Sequence, residues 1–377
     1  MPSTSSSPTS AIGLVLSGGG ARGAYQAGVL KAVGEICQIR NISWPFTVMT
    51  GLSAGAINIT YLASSRTDLY KTTNLLAEIW AAICSSDVFR TDPASLSAIG
   101  SRWIASMMSG GWTLSSKPQS LVDTSPLRRL ITRYLDTNGI SENIKKGKFR
   151  AVSVSATDYA TSRGVSFVQS SNAQTSWNKP RNYSVASSLG PDHVLASSAI
   201  PVLFPAVKIH GKFYGDGCLR NLNPLSPAIR LGAQKLFIIG VRQAPSEHDG
   251  LAKDGATAGR ILSVLLNAVL MDGLESDVDH LQTINQIVGS SDQKQGQPRF
   301  IPTFVMTPSK NIADLAVTFS DSISPFIHFL TRGLGPFEQT AEMISYLLFE
   351  PLFCSALIQL GHQDAMIRAR EIADFLT

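Results

Sequence analysis

Cysteine is scarce in this 377-residue chain: Cys37, Cys84, Cys218 and Cys354 stand far apart with no C-x-x-C spacing. That excludes a disulfide framework and leaves buried free thiols in a reducing compartment as the reading that fits. No apolar run reaches the ~20 residues that a spanning helix requires, so the chain is expected to be soluble or peripheral. Residues 1–10 carry neither a basic residue nor an apolar stretch; they read as a short disordered tail and not as a signal peptide. Charge is sparse as well, with 16% of residues charged and a formal net charge of +5. Mild basicity favours anionic surfaces. The only tight basic cluster, Lys145-Lys146-Gly147-Lys148-Phe149-Arg150, lacks the interleaved aromatics of a nucleic-acid stripe and reads as a solvated loop. Nucleic acid is therefore not expected as a partner.

Apolar residues, at 44%, are plentiful enough to bury a sizeable core. Ile12-Gly13-Leu14-Val15-Leu16 reads as a buried strand, followed by Ser17-Gly18-Gly19-Gly20-Ala21-Arg22-Gly23 and a helix from about Ala24 to Ile36. Gly18, Gly20 and Gly23 satisfy G-x-G-x-x-G, which invites a nucleotide-binding oxidoreductase. That reading needs an acidic residue at the end of the second strand to hold a ribose, and here that strand ends in Thr50-Gly51. No cofactor and no metal are expected. Consecutive N–H groups in a glycine loop at a helix N-terminus also make a cradle for an oxyanion.

From about Asp68 to Leu135 the periodicity is helical, with Leu75-Leu76-Ile79-Trp80-Ile83 and Leu127-Leu130-Ile131-Tyr134 as apolar faces. Trp103 to Trp112 is rich in large apolar groups; ordinary packing is the plainer reading and a flap over a lipid-binding groove the functional one. Strands return at 149–157 and 165–168, a short helix at 192–199, a hairpin over 207–214 and a last clear core strand at 235–241. Strands alternating with helices predict an α/β fold, a mainly parallel central sheet flanked by helices, over residues 11–245. Residues 242–258 read as a linker. The region 246–377 is expected to be mostly helical and packed on the first, with helical patterns at 260–288, 323–334, 338–349 and 362–376 and a candidate edge strand at 304–306.

The chemistry points to residues 46–63, which read as strand, sharp turn and helix. Ser53 sits in Gly51-Leu52-Ser53-Ala54-Gly55, the G-x-S-x-G nucleophile elbow: the glycines permit a tight bend that lifts Oγ clear of the sheet, an exposed position at the top of the turn. A nucleophilic serine needs a base. All six histidines follow Ser53, but the α/β-hydrolase order requires several strands before the nucleophile, and only one precedes the elbow strand here. None of the histidines has the expected setting of a small-residue loop after a core strand. Asp216, between Gly215 and Gly217 after an aromatic strand, is a candidate carboxylate base. A plain Tyr-Gly-Asp-Gly turn reads equally well from composition.

Taken in order, Gly18-Gly19-Gly20-Ala21-Arg22-Gly23, Gly51-Leu52-Ser53-Ala54-Gly55, Ala196-Ser197-Ser198-Ala199-Ile200-Pro201 and Asp216-Gly217 resemble the motif set of the patatin-like phospholipases. The C-terminal stretches Arg332-Gly333-Leu334-Gly335 and 345–351 are similar to a bacterial subgroup whose added region has no evident role. The resemblance implies a Ser-Asp dyad with no catalytic histidine: Ser53 as nucleophile and Asp216 as base. Amides of Gly18, Gly19, Gly20 and Ala21 would form the oxyanion hole, with Gly23, Gly51, Gly55 and Gly217 supporting the turns, and Arg22 steadying the loop or meeting a phosphate. Cys218 departs from the family pattern, which usually has Gly or Ala there.

The expectation is a serine acyl hydrolase of lipid esters, of phospholipase A or lysophospholipase type, acting on phospholipid or lysophospholipid. It is expected to be cytoplasmic, with peripheral membrane contact. A non-catalytic lipid-binding or regulatory protein is the alternative, and the intact Ser53 and Asp216 argue against it.

Overall fold

A computed structural model of the chain describes residues 11–90, 120–172, 176–243, 257–289, 299–320 and 336–377, together with the isolated positions 92, 101, 323, 327 and 328. The N-terminal tail, the Trp103–Trp112 segment, most of the linker, and the Arg332–Gly335 stretch lie outside the described residues. So does most of the helical pattern expected at 323–334.

Among the described residues nine strands form one sheet. They are β1 (Ile12–Leu16), β2 (Phe46–Leu52), β3 (Ala151–Asp158), β4 (Arg163–Ser170), β5 (Asn182–Ala186), β6 (Val207–Ile209), β7 (Lys212–Asp216), β8 (Lys235–Ile239) and β9 (Thr303–Met306). The order is β5-β4-β3-β2-β1-β8-β9, with β7 paired to β3 and β6 to β7. The run from β3 to β9 is parallel throughout, while β4, β6 and β7 join by antiparallel pairings. Every residue of β1 and β3 is buried, as befits strands covered on both faces. The mainly parallel α/β sheet flanked by helices, with helices dominating the C-terminal part, is as expected. β9 takes the edge position next to β8.

Helix α1 (Gly23–Ile39) connects β1 to β2, α2 (Ala54–Ser64) follows the elbow, and α3 (Leu69–Ala82) starts where Asp68 accepts the Lys71 amide at 2.8 Å, an N-cap worth about 1 kcal/mol. The turn of the β6–β7 hairpin has positive φ at both His210 and Gly211, the geometry that matches strand twist.

Several local expectations are corrected. Lys148 is half-buried and does not lie in a solvated loop: its Nζ donates to the carbonyls of Ser65 at 3.0 Å and Thr67 at 2.9 Å, just past the C-terminus of α2, and sits 4.0 Å from the Trp44 ring centre. Burial holds its pKa down at about 8. The amphipathic run at 260–288 is two helices, Ala258–Leu270 and Asp272–Gly289. Past residue 336 the helices span Phe337–Leu347, Pro351–Ile367 and Ala369–Leu376, because Pro351 opens a new helix at its first turn. Among the described residues no single helix is long and apolar enough to cross a membrane; Thr340–Leu347 with Pro351–Ile367, bent by 95°, qualifies only in combined length and composition.

Candidate active site

Three chain reversals meet at the carboxyl ends of the parallel strands, where ligand sites of such sheets form. The glycine loop follows β1, Ser53 follows β2, and Asp216 ends β7 opposite Ala156 of β3. Ser53 takes φ 52° and ψ −126°, a left-handed conformation that costs of order 1–3 kcal/mol for a residue with a side chain. The bend is possible because β1 lies directly against it: a Cβ on Gly55 would stand 2.5 Å from the carbonyl oxygens of Leu16 and Ser17. Gly51 in turn lies against the Gly55 carbonyl. The elbow does not expose its serine to solvent as the sequence suggests; Ser53 is 4% exposed and lies at the wall of a cavity.

The Ala196–Pro201 motif holds Ser53 and Asp216 in register. Ser53 N–H donates to Ser197 Oγ at 2.9 Å, and Ser197 Oγ donates to the Ser155 carbonyl at 2.5 Å. Two residues on, the Ala199 carbonyl accepts from the Asp216 amide at 2.9 Å.

Asp216 is wholly buried. Oδ1 accepts from the Cys218 amide at 2.8 Å, while Oδ2 is buried without a hydrogen-bond partner of good geometry. Burial pushes the carboxyl up to about 6, against the stabilising pull of the Cys218 amide, the Ser53 hydroxyl and the Cys218 thiol. The Ser53 hydroxyl is thus near the carboxylate without a well-formed hydrogen bond to it. Burial, then the Asp216 charge, push the Cys218 thiol well above its usual range, so it remains a neutral S–H. Gly217 packs on the Ser155 carbonyl, which a Cβ there would approach to 2.3 Å.

Gly18 presses on both partners: a Cβ there would lie 2.6 Å from Cys218 Sγ and 3.0 Å from Ser53 Cβ. Gly19 packs on Val241, and Gly20, at φ 56°, on the carbonyl of Tyr346. Gly20, Ala21 and Arg22 form a short 3-10 turn that runs into α1 at Gly23. Of the two roles open to Arg22, the geometry fits the structural one. Its side chain is 2% exposed; Nε and Nη2 donate to Ser345 Oγ at 2.9 and 2.6 Å, Nη2 pairs with Glu342 at 2.7 Å, and the guanidinium lies 4.2 Å from the Tyr346 ring centre.

A second buried network was missed. Gln26 Nε2 donates to the Ser17 carbonyl at 2.9 Å, Asn58 Nδ2 to the Gly23 carbonyl at 3.1 Å and to Gln26 Oε1 at 3.0 Å, and Trp80 Nε1 to Asn58 Oδ1 at 2.7 Å. It locks the glycine loop to α1, α2 and α3. Its only sequence signal is amide side chains inside apolar helices, where a buried polar group must find partners.

From Ser53 and Gly20 a largely apolar cavity of about 70 Å³, partly open to solvent, extends between α2, α3 and the Ser125–Tyr134 helix. Leu76, Ile79, Trp80, Ile83, Leu127, Leu130, Ile131 and Tyr134, the residues of the two apolar faces apart from Leu75, line it; Leu75 is 45% exposed. Among the described residues no histidine lines the cavity. His193 is buried in packing, its Nδ1 accepting from the Gly190 amide and its ring on Phe167, and His362 meets Glu35. His248 lies outside the described residues.

The family model for patatin-like phospholipases matches residues 14–229, more than half of the chain. The chain belongs to the patatin-like phospholipase family. The matched span reaches from β1 through Asp216, so it includes the glycine loop, the elbow and the carboxylate. No curated protein matches the sequence. Among solved structures, VipD of Legionella pneumophila is similar at 14% identity, with 98% of this chain and 67% of that chain covered and a TM-score of 0.37. The type III effector ExoU gives 14%, 98%, 54% and 0.38, and human GIVD cytosolic phospholipase A2 with a methyl γ-linolenyl fluorophosphonate inhibitor gives 12%, 97%, 60% and 0.39. ExoU is a Pseudomonas aeruginosa protein. The chain spans between 54% and 67% of the length of these structures. At such scores the likenesses carry no argument, and membership of the patatin-like family rests on the sequence match.

Proposed function

We propose that this lipid acyl hydrolase cleaves carboxylic esters of phospholipids or lysophospholipids through a Ser53–Asp216 dyad. The supporting observation is the apolar cavity that opens on Ser53 beside a buried carboxylate: its mostly apolar walls suit an acyl chain. In the proposed cycle ionised Asp216 takes the Oγ proton as Oγ attacks the ester carbonyl carbon. The amides of Gly18–Ala21 receive the oxyanion. Collapse expels the alcohol, which takes the proton from Asp216 and leaves acyl-Ser53. Water, losing its proton to Asp216, then attacks the acyl carbon; the fatty acid leaves and Oγ regains the proton. A bilayer-borne substrate and a net charge of +5 favour peripheral attachment to anionic membranes from the cytoplasm.

The test is labelling with a fluorophosphonate followed by peptide mapping. Wild-type protein is expected to be labelled at Ser53, and Ser53→Ala to lose both labelling and ester hydrolysis while keeping its fold. Hydrolysis of a chromogenic acyl ester by the Ala variant at the wild-type rate would remove Ser53 from the mechanism.

A further inference from the structure

One side of α2 runs the length of the cavity. Ser53, Ala54, Ile57, Thr60 and Tyr61 line it, positions that fall on one helical face over two turns. With a rise of 1.5 Å per residue, Tyr61 stands about 12 Å from Ser53 along the axis. Thr60, whose hydroxyl bonds the carbonyls of Ala56 at 2.7 Å and Ile57 at 3.1 Å, presents no unsatisfied polar group to a ligand. At the Tyr61 end the environment changes. Tyr61 and Tyr134 both line the cavity here, one from α2 and one from the Ser125–Tyr134 helix, and burial first, then the phenol of Tyr134, push the Tyr61 hydroxyl up. Tyr134 is 37% exposed, with the Arg133 guanidinium 5.5 Å from its ring centre. Two phenols and a cation thus mark where the apolar wall gives way to solvent.

We infer that the space between Ser53 and the Tyr61–Tyr134 pair measures the acyl chain, selecting esters of medium-chain fatty acids of about ten carbons. The inference deepens the hydrolase reading and rests on it. Carbon–carbon bonds of about 1.5 Å advance an extended hydrocarbon by roughly 1.25 Å per carbon, so about 12 Å of α2 spans about ten carbons. Up to that length each methylene exchanges water for apolar wall, a gain of about fourfold in affinity. Further methylenes must pass between the tyrosines towards water, and that gain disappears.

Two measurements on the full chain test this. Saturated fatty acids of about six to eighteen carbons are titrated calorimetrically into Ser53→Ala, where affinity should climb about fourfold per methylene and level off near ten. On p-nitrophenyl esters of the same lengths, wild-type kcat/KM should peak near ten carbons. Tyr61→Ala and Tyr134→Ala should each raise the sixteen-to-ten-carbon kcat/KM ratio by about fivefold or more. Ile57→Phe, halfway along at about 6 Å, should move the limit to about five carbons. Affinity and turnover that keep rising to eighteen carbons, with ratios unchanged in the variants, would overturn the ruler and leave the hydrolase intact; absence of fatty-acid binding at every length would also overturn it. A break in affinity near ten carbons, with Ser53 unlabelled by fluorophosphonate and no ester cleaved, would support the ruler as a binding site and overturn the hydrolase.

Discussion

At Asp216 the proposed role as base and the stability of the fold pull in opposite directions. Its carboxyl is raised from an ordinary value of 3.8 to about 6, chiefly by burial. Between those values the unfolded chain has lost the proton while the native state still holds it, so stability falls as pH rises through the window and stays low above it. About two pH units correspond to about 3 kcal/mol. Asp216→Asn keeps the shape of the site without the charge. Its Tm should exceed that of wild type at pH 8, and the difference should shrink to nothing below about pH 4. The same variant should lose hydrolysis and fluorophosphonate labelling by at least about a hundredfold, and wild-type activity should show an acid limb centred near pH 6. Because the Cys218 thiol helps stabilise the ionised carboxylate, Cys218→Ala should move that limb upward. Undiminished labelling of the folded Asn variant would mean that another group activates Ser53.

The glycine loop depends on a helix more than 300 residues away. Arg22 is held by Glu342 and Ser345 from the Phe337–Leu347 helix, whose Tyr346 carbonyl also abuts Gly20. Removing one partner of such a buried pair strands the other charge, at a cost of about 3 kcal/mol. Glu342→Ala should therefore lower Tm and also lower kcat with KM nearly unchanged, because the loop's amides act on the transition state more than on the bound ester. Glu342→Gln, which still accepts a hydrogen bond, should recover much of kcat. Equal kcat in the Ala and wild-type proteins would confine the clamp to a structural role.

This is also where reading the sequence stopped. The elbow was legible because Gly51, Ser53 and Gly55 are neighbours with a geometric reason to be so, and the fold because β1 is short and wholly apolar and β2 and β8 are short and mostly so. Asp216 was separable from a turn only through motif order. The cavity escaped because its two linings, on α3 and on the Ser125–Tyr134 helix, have the same period as ordinary core packing; what distinguishes them is the space between, which no single segment encodes. β5 was missed because Asn182–Ala186 is half exposed and gives no clean alternation, and the Arg22 clamp because nothing local links residue 22 to residue 342.

For the molecule as a whole, the region after residue 245 is continuous with the core. β9 pairs in parallel with β8, and the Pro351–Ile367 helix lies on α1 with its backbone in contact: a Cβ on Gly28 would stand 2.1 Å from the Ile358 carbonyl, and one on Gly361 2.2 Å from that of Tyr25. Tyr25 Oη donates to Asp364 at 3.1 Å, and Asp364 also accepts from the amide and hydroxyl of Ser309. Phe353, Leu357, Ala365 and Ile372 belong to the same apolar cluster as Leu14, Val29 and Met49. Uncovering several such side chains at roughly 1.5–3 kcal/mol each is comparable with the whole 5–15 kcal/mol by which a domain is ordinarily stable. A fragment ending at residue 245 would expose the outer face of α1, leave β8 as an unpaired edge and free Arg22 from its clamp. It should therefore fail to fold cooperatively, with no sharp thermal transition by circular dichroism and no fluorophosphonate labelling, although Ser53, Asp216 and the glycine loop are all present in it. A monomeric fragment that melts cooperatively and is labelled at the wild-type rate would show that the C-terminal helices are an appendage, and the dependence of the glycine loop on Glu342 would fall with that result.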